Sequence, residues 1–275
     1  MTRVAAIQIA AGPILAANLD EAKRRIAEAA ASGAGLVVLP ENFALMGEQE
    51  ADKLAVAEAD GDGPIQSFLA DQAARHGIWL VGGTIPIATP TPGRVRAASL
   101  VYDRQGTRVA RYDKIHMFDV TVDTDNDEVY VESDTTEPGE GAVVVDTPFG
   151  RLGLAVCYDL RFPELFRYLV AQGMEILALP AAFTAATGRA HWTMLLRARA
   201  VENLCYVVAA AQGGFHVGGR ETYGHSMIVD PWGTVLEEME RGRGMVSADV
   251  DLNRLRELRQ RFPALQHQRF VSAPP

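Results

Sequence analysis

Two side chains with the potential for carbonyl chemistry follow apolar runs of the sequence. Cys157 ends the run RLGLAVC, and Glu41 follows the run GLVVLP. A thiol attacks carbon when a nearby base takes its proton, and a carboxylate at the end of an apolar strand suits a general base or acid. Pro163 can begin a helix shortly after the thiol, and helix-terminal N–H groups would lower the pKa of the thiol and stabilise an oxyanion. The two residues indicate catalysis by a cysteine nucleophile.

A cation that could stabilise the developing oxyanion is Lys114, in the segment RYDKIHMFDV. The apolar residues around it would partly desolvate its charge and focus it into a cleft. His116 offers an alternative partner for Cys157, but the residues around the thiol lack the pattern of papain-type enzymes. We therefore favour the lysine, with the histidine as the second choice.

The composition limits the classes of partner. The 275 residues carry a formal net charge of −9 and are 48% hydrophobic and 22% charged. The charge argues against a generic nucleic-acid binder, and the apolar fraction is typical of a globular protein. Because no apolar run approaches the roughly 18 residues of a membrane span, no membrane partner is expected. With two cysteines, Cys205 sitting inside the apolar LCYVVAAA, we predict a reducing, cytoplasmic location and a core role for Cys205.

Motifs for cofactors and metals are missing from the sequence. It contains neither GxGxxG nor GxxxxGK[ST], and no HExxH. Asp123, Asp125 and Asp127 begin like a calcium loop, but Glu128 occupies the position that requires glycine. We therefore predict no cofactor and no metal.

The elements that must position these residues occur as a repeat. Each half reads strand, helix, strand, helix, strand, and the middle strand of each half ends in Leu-Pro. The predicted helices span residues 18–32 and 64–76 in the first half and 163–172 and 190–203 in the second. Hairpin strands are predicted at 97–102 and 108–112, a loop or hairpin tip at 84–94, and a short helix at 252–261. The pattern favours an α/β fold with duplicated βαβαβ-like halves, forming a single domain over residues 1–275.

Three motifs in order resemble the Glu-Lys-Cys triad of the nitrilase, or carbon-nitrogen hydrolase, superfamily. They are LPENF with Glu41, YDKIHMFDV with Lys114 and AVCYDLRFPE with Cys157. The resemblance extends along nearly the whole chain and implies a four-layer αββα sandwich. It also implies a second glutamate, placed on Glu132 with Glu128 as the alternative, and a homodimer with residues 161–170 at the interface.

Further segments resemble the Nit-type amidase branch of this superfamily, including VESDTTEPG, HWTMLLRARAVEN and YGHSMIVDPWG. The branch implies hydrolysis of a small carboxylate-bearing amide, with deaminated glutathione favoured as the substrate. The alternatives are an ω-amidase acting on α-ketoglutaramate or succinamate, and an N-carbamoyl amino acid amidohydrolase. A different class of function is an interaction module without catalytic activity. Candidate residues at all four catalytic positions argue against this alternative.

The resemblance also implies roles for individual residues. Glu41 would act as the base, Cys157 would form a thioester as ammonia leaves, and Lys114 with the N–H of Tyr158 would hold the oxyanion. Glu132 would position the substrate or the lysine. The predicted substrate-binding side chains are aromatic or cationic: Tyr158, Arg161, Phe183 and Trp192, with Arg189 and Arg197 as further carboxylate partners.

Overall fold

The computed structural model describes residues 1–122 and 128–270. The residues Asp123, Asp125 and Asp127, compared above with a calcium loop, lie outside this part of the chain. The described strands are β1 (Thr2–Gln8), β2 (Leu36–Val38), β3 (Trp79–Val81), β4 (Ile85–Ala88), β5 (Val95–Tyr102), β6 (Arg108–Asp113), β7 (Asp119–Val122), β8 (Glu128–Val131), β9 (Val143–Thr147), β10 (Gly150–Leu154), β11 (Ile176–Ala181), β12 (Tyr206–Ala211), β13 (Gly213–Phe215), β14 (Glu221–Tyr223), β15 (Ser226–Val229), β16 (Val235–Met239) and β17 (Gly244–Val250). The α-helices are α1 (Leu15–Ala31), α2 (Pro64–His76), α3 (Pro163–Ala171), α4 (Ala185–Asn203) and α5 (Leu252–Arg261).

Strands β1 to β6 of the first half form a sheet together with β17 from the second half, in the order β17-β1-β2-β3-β5-β4, and β6 pairs with β5. Strands β1, β2 and β3 are parallel neighbours, as helical crossovers through α1 and α2 require. Successive side chains of a strand point to opposite faces of a sheet. Accordingly, Ala5 and Ile7 share a core cluster with Ile26 of α1, while Val4 and Ala6 belong to a second cluster.

The second half repeats this arrangement in a sheet with the order β16-β15-β12-β11-β10-β9. Strands β10, β11 and β12 are parallel, and they are linked by α3 and α4. The second cluster contains apolar residues of both sheets together with Phe166 of α3 and Leu196 of α4. The sheets therefore pack face to face with a pair of helices outside each, which confirms the predicted αββα sandwich with duplicated halves.

Helix α1 begins three residues before its predicted start, and two further predicted boundaries differ from the structure. Residues 85–88, expected within a loop, form β4, which lies at the edge of its sheet, where Pro86 is tolerated. Helix α4 begins at Ala185, five residues before the predicted start, because Thr184 caps it by accepting a hydrogen bond from the Thr187 N–H. Among the described helices none is long and apolar enough to cross a membrane.

Candidate active site

Glu41 lies just beyond β2, at a sharp corner of the backbone. The next residue, Asn42, has a φ of 55°, and its N–H donates to Thr84 Oγ1 at 2.9 Å. The carbonyl of Glu41 accepts a hydrogen bond from Gln212 Nε2 at 2.9 Å, and Gln212 follows β12 in the other sheet. Side chains from both sheets therefore fix the corner, and the Glu41 carboxylate is 4% exposed.

Cys157 occupies the equivalent position beyond β10 and begins a 3₁₀ turn that spans Cys157–Arg161. Its φ of 49° lies in the left-handed region, which is uncommon for a residue other than glycine and requires support from its surroundings. Asp159 supplies that support, because its buried Oδ2 accepts the Val156 N–H at 2.8 Å and the Tyr112 hydroxyl at 2.7 Å. The Asp159 carboxylate thus fixes the backbone next to the thiol and is itself held by Tyr112.

Lys114 joins the candidate residues into one cluster. It follows β6 and is 2% exposed, and its Nζ lies 3.0 Å from Glu41 Oε1 and 2.8 Å from Glu132 Oε2. Glu132 begins the turn after β8, and its Oε2 also accepts the Phe118 N–H at 2.8 Å. One buried ammonium therefore lies between two carboxylates and beside the thiol.

The closeness of these groups shifts the pKa of Lys114 and of Cys157. Burial disfavours the charged form of Lys114, but Glu132 and Glu41 outweigh burial and raise its pKa well above the ordinary value. The pKa of the Cys157 thiol is also raised well above its ordinary value, by burial and by the adjacent Glu41, against a smaller opposite effect of Lys114. The lowered thiol pKa expected from the sequence is therefore wrong. Before reaction, a neutral thiol faces a carboxylate.

The alternative residues take other positions. His116 Nδ1 is 2.7 Å from Asp159 Oδ1, and its ring stacks on Phe162 with centroids 3.6 Å apart, so the imidazole supports the turn and does not line the cavity. The exposed Glu128 accepts a hydrogen bond from the Tyr130 hydroxyl at 2.7 Å. Glu132, not Glu128, is the glutamate that reaches the lysine.

A cavity opens above the thiol. Two of the four predicted substrate-binding residues, Tyr158 and Phe183, line it. The other lining residues are Glu41, Asn42, Glu50, Lys53, Lys114, Phe118, Tyr130, Glu132, Cys157, Ala182, Thr184, Thr187 and Arg220. Within residues 1–122 and 128–270, no three His, Cys, Asp or Glu side chains are grouped in a way that could hold a metal ion.

The other two predicted substrate-binding residues, Arg161 and Trp192, are not among the residues that line the cavity. The guanidinium of Arg161 lies over the rings of Tyr158 and Phe183, 5.8 and 5.4 Å from their centroids. Trp192 is fully buried against Phe183 and donates its Nε1–H to the His225 carbonyl at 2.8 Å. Both residues support the aromatic wall without facing the cavity.

The two further arginines are also absent from the cavity lining. Arg189 is exposed on α4, and Arg197 Nε donates to the Gly233 carbonyl at 2.8 Å.

Three charged residues at the outer side of the cavity were not predicted from the sequence as site residues. Lys53 and Glu50 form an ion pair at 2.5 Å, and Arg220 Nη1 lies 3.6 Å from Glu50. Burial opposes the ionisation of Glu50, but Lys53 and Arg220 hold its pKa below the ordinary value. Arg220 belongs to the segment GGFHVGGRE, which none of the motifs quoted above covers.

Comparisons with known proteins agree with this geometry. The model of the carbon-nitrogen hydrolase family matches residues 3–260. The chain is 46% identical over 271 residues to a deaminated glutathione amidase of Yersinia enterocolitica, covering 98% of this chain and 94% of the relative. It matches the crystal structure of the C. elegans NitFhit protein with a TM-score of 0.89 and 37% identity, over 98% of this chain but 65% of that longer one.

A further relative of known structure is an amidase from Nesterenkonia sp. AN1, whose active site cysteine has undergone Michael addition of acrylamide. It is 28% identical, with a TM-score of 0.78, over 96% of this chain and 98% of the other. The family model covers nearly the whole chain, and a curated relative is 46% identical over 98% of it. The chain belongs to the carbon-nitrogen hydrolase family.

Proposed function

We propose that this protein hydrolyses a small carboxylate-bearing amide through a thioester on Cys157. The observation that carries the proposal is the contact of one buried ammonium, Lys114, with both Glu41 and Glu132 beside a buried thiol. Such a group contains a nucleophile, a base and a fixed positive charge, the three requirements of acyl transfer.

In the first half of the reaction, Glu41 takes the proton of the Cys157 thiol while the sulfur attacks the amide carbon. The negative charge moves to the carbonyl oxygen, which is stabilised by Lys114 and the N–H of Tyr158 at the start of the 3₁₀ turn. The C–N bond then breaks, and Glu41 returns its proton to the leaving nitrogen. The nitrogen leaves as ammonia from a primary amide or as an amine from a substituted one.

In the second half, water loses a proton to Glu41 and attacks the thioester carbon. The C–S bond breaks, the acid is released, and the proton on Glu41 returns to the sulfur. Lys114 keeps its charge throughout, because two carboxylates favour the ammonium form. Glu132 acts as a positioning residue that holds the ammonium in place.

The substrate we propose is deaminated glutathione. The name of the Yersinia enterocolitica relative supports this choice, at 46% identity over 98% of the chain. Deaminated glutathione carries a carboxylate at each end of an amide-linked chain, and the cavity offers cations at its outer side.

We also propose one folded domain that forms a homodimer and acts in a reducing cytoplasm, where a thiol nucleophile stays reduced. An exposed apolar surface beside α4 supports the dimer: Val201, Trp232 and Phe262 are 46%, 58% and 51% exposed. The rings of Trp232 and Phe262 contact each other edge to face at 5.7 Å. Light scattering coupled to size-exclusion chromatography tests this, and a single-chain mass at micromolar concentration would contradict it.

The function is tested by supplying deaminated glutathione, α-ketoglutaramate and N-carbamoyl amino acids separately and identifying the products by mass spectrometry. We expect the highest kcat/KM with deaminated glutathione and none with Cys157→Ala. Preference for α-ketoglutaramate would make the protein an ω-amidase, and carbon dioxide formed with ammonia would identify a carbamoyl hydrolase. Turnover by Cys157→Ala would overturn the thioester mechanism itself.

A further inference from the structure

The cavity above Cys157 adjoins a second, more open cavity. The residues that line both cavities stand at their junction: Asn42, Glu50, Lys53, Tyr130 and Arg220. A substrate that extends from the thiol towards the second cavity would contact these side chains.

Charged side chains along this path fall into an inner group, a junction group and an outer pair. The inner group consists of Lys114 between Glu41 and Glu132, which sum to −1 when the thiol is neutral. The junction group consists of Lys53, Arg220 and Glu50, which sum to +1, and the outer pair is Glu48 and Glu128. The junction therefore carries the positive charge that favours an anionic group of a substrate, whereas the inner group suits an uncharged amide.

The N–H groups of the Arg220 guanidinium make only weak contacts at this junction. Its Nη2 makes a long contact of 3.4 Å with the Ala182 carbonyl, and its Nη1 is 3.6 Å from Glu50, beyond normal hydrogen-bond length. Its Nε is buried and has no hydrogen-bond partner. The guanidinium is nevertheless held in place, because it lies over the Tyr130 ring at 5.3 Å from the centroid.

We propose that Arg220 is a specificity-determining residue that binds a carboxylate of the substrate at the junction of the two cavities. This inference rests on the proposed amidase function. A carboxylate there would receive two parallel N–H donors from the guanidinium, a geometry that lysine does not reproduce. Lys53, which is paired with Glu50, adds positive charge but lacks the two parallel N–H groups of a guanidinium.

The first test compares kcat/KM for deaminated glutathione between the wild type, Arg220→Gln and Arg220→Lys. We expect a loss of about 10- to 100-fold in Arg220→Gln, the range for a hydrogen bond to a charged group, and partial recovery in Arg220→Lys. Arg75→Gln is the matched control, since Arg75 is exposed on α2 and lines neither cavity, and its kcat/KM should equal that of the wild type. A loss in Arg220→Gln no larger than in Arg75→Gln would overturn the proposal.

A second test does not depend on turnover. Glutarate and pentanamide have the same chain length, and they are compared as protectants of Cys157 against alkylation by iodoacetamide. We expect glutarate to protect the wild type, to protect Arg220→Gln about 10- to 100-fold more weakly, and pentanamide to act equally on both. Equal protection of both proteins by glutarate would refute the role of Arg220, even if deaminated glutathione proves not to be the substrate.

Discussion

The two cysteines of this protein are both buried and both free, yet their surroundings differ. Cys205 lies in the core at 0% exposure, where its Sγ is 3.7 Å from the Arg199 carbonyl and burial raises its pKa to about 12. Cys157 lies at a strained corner, where burial and Glu41 raise its pKa.

The comparison shows that a low thiol pKa is not what separates the proposed nucleophile from the core thiol. Cys157 faces a carboxylate that can take its proton and an ammonium that can stabilise the charge which then moves to the substrate. Cys205 is influenced by Arg259 and Glu202, but its Sγ contacts the Arg199 carbonyl and does not line the cavity where a substrate would bind. The difference in function therefore comes from the neighbours of the sulfur, which act during the reaction and not before it.

The largest contrast is expected from removing each sulfur in turn. Cys157→Ala should lose at least about 10⁴-fold in kcat, because a missing nucleophile abolishes the covalent route, whereas Cys205→Ala should stay within about twofold of the wild type. Steady-state assays with circular dichroism as a control for folding make the comparison. Equal losses in the two variants would remove the distinction between the thiols.

The next contrast concerns the base. Glu41→Gln keeps the size of the side chain but cannot take a proton, so the rate of acylation in a single turnover should fall by about 10²- to 10⁴-fold. Glu257→Gln is the matched control, because Glu257 is exposed on α5 and lines neither cavity. An acylation rate in Glu41→Gln equal to that of the control would show that another group deprotonates Cys157.

A smaller loss is expected from the fixed cation. Lys114→Met should lower kcat by about 10²- to 10³-fold, the range for one oxyanion donor. It also leaves Glu41 and Glu132 buried without their cation, so its thermal stability should fall as well. The double variant Lys114→Met/Glu132→Gln should recover stability but not kcat. Recovery of both quantities would assign the lysine a purely structural role.

The last prediction concerns the core thiol, Cys205, and the pH dependence of the free energy of unfolding. The unfolded Cys205 thiol ionises above about pH 9, whereas the folded thiol stays protonated to about pH 12, so the free energy of unfolding falls as pH rises between these values. Cys205→Ala removes this contribution. For each pH unit in that range, the free energy of unfolding of the wild type should therefore fall by about 1.4 kcal/mol more than that of Cys205→Ala. Urea denaturation at pH 8 and pH 10 measures the difference, and identical slopes for the two proteins would contradict it.

Strand and helix positions could be predicted because they depend on local patterns. Helix α2 begins at Pro64 and ends before Gly77, whose φ is 60°, and the parallel strands of both halves are continuous apolar runs. Glu41, Lys114 and Cys157 could be placed for a similar reason, since each follows the end of a strand. The outer charged group was missed because it joins Glu50 and Lys53 in a 3₁₀ turn to the distant Arg220. Contacts between loops leave no periodic signal in the sequence.

The side chains of Arg161 and Trp192 illustrate the same limit. Their side-chain types, a cation and an aromatic ring, suggested contact with the substrate, but each packs on the wall residues Tyr158 or Phe183 and does not line the cavity. Which face of a short turn or helix a residue occupies is decided by packing against other elements, and sequence separation does not reveal it.

The central claim is that Cys157 carries the acyl group during turnover. Mixing the enzyme with deaminated glutathione, quenching in acid within one turnover and measuring the mass of the intact protein tests it most directly. We expect a mass increase equal to the acyl group minus one hydrogen, located by peptide mapping on Cys157 and absent from Cys157→Ala. An unmodified wild-type protein during turnover, or an acyl group on Cys205, would contradict the account.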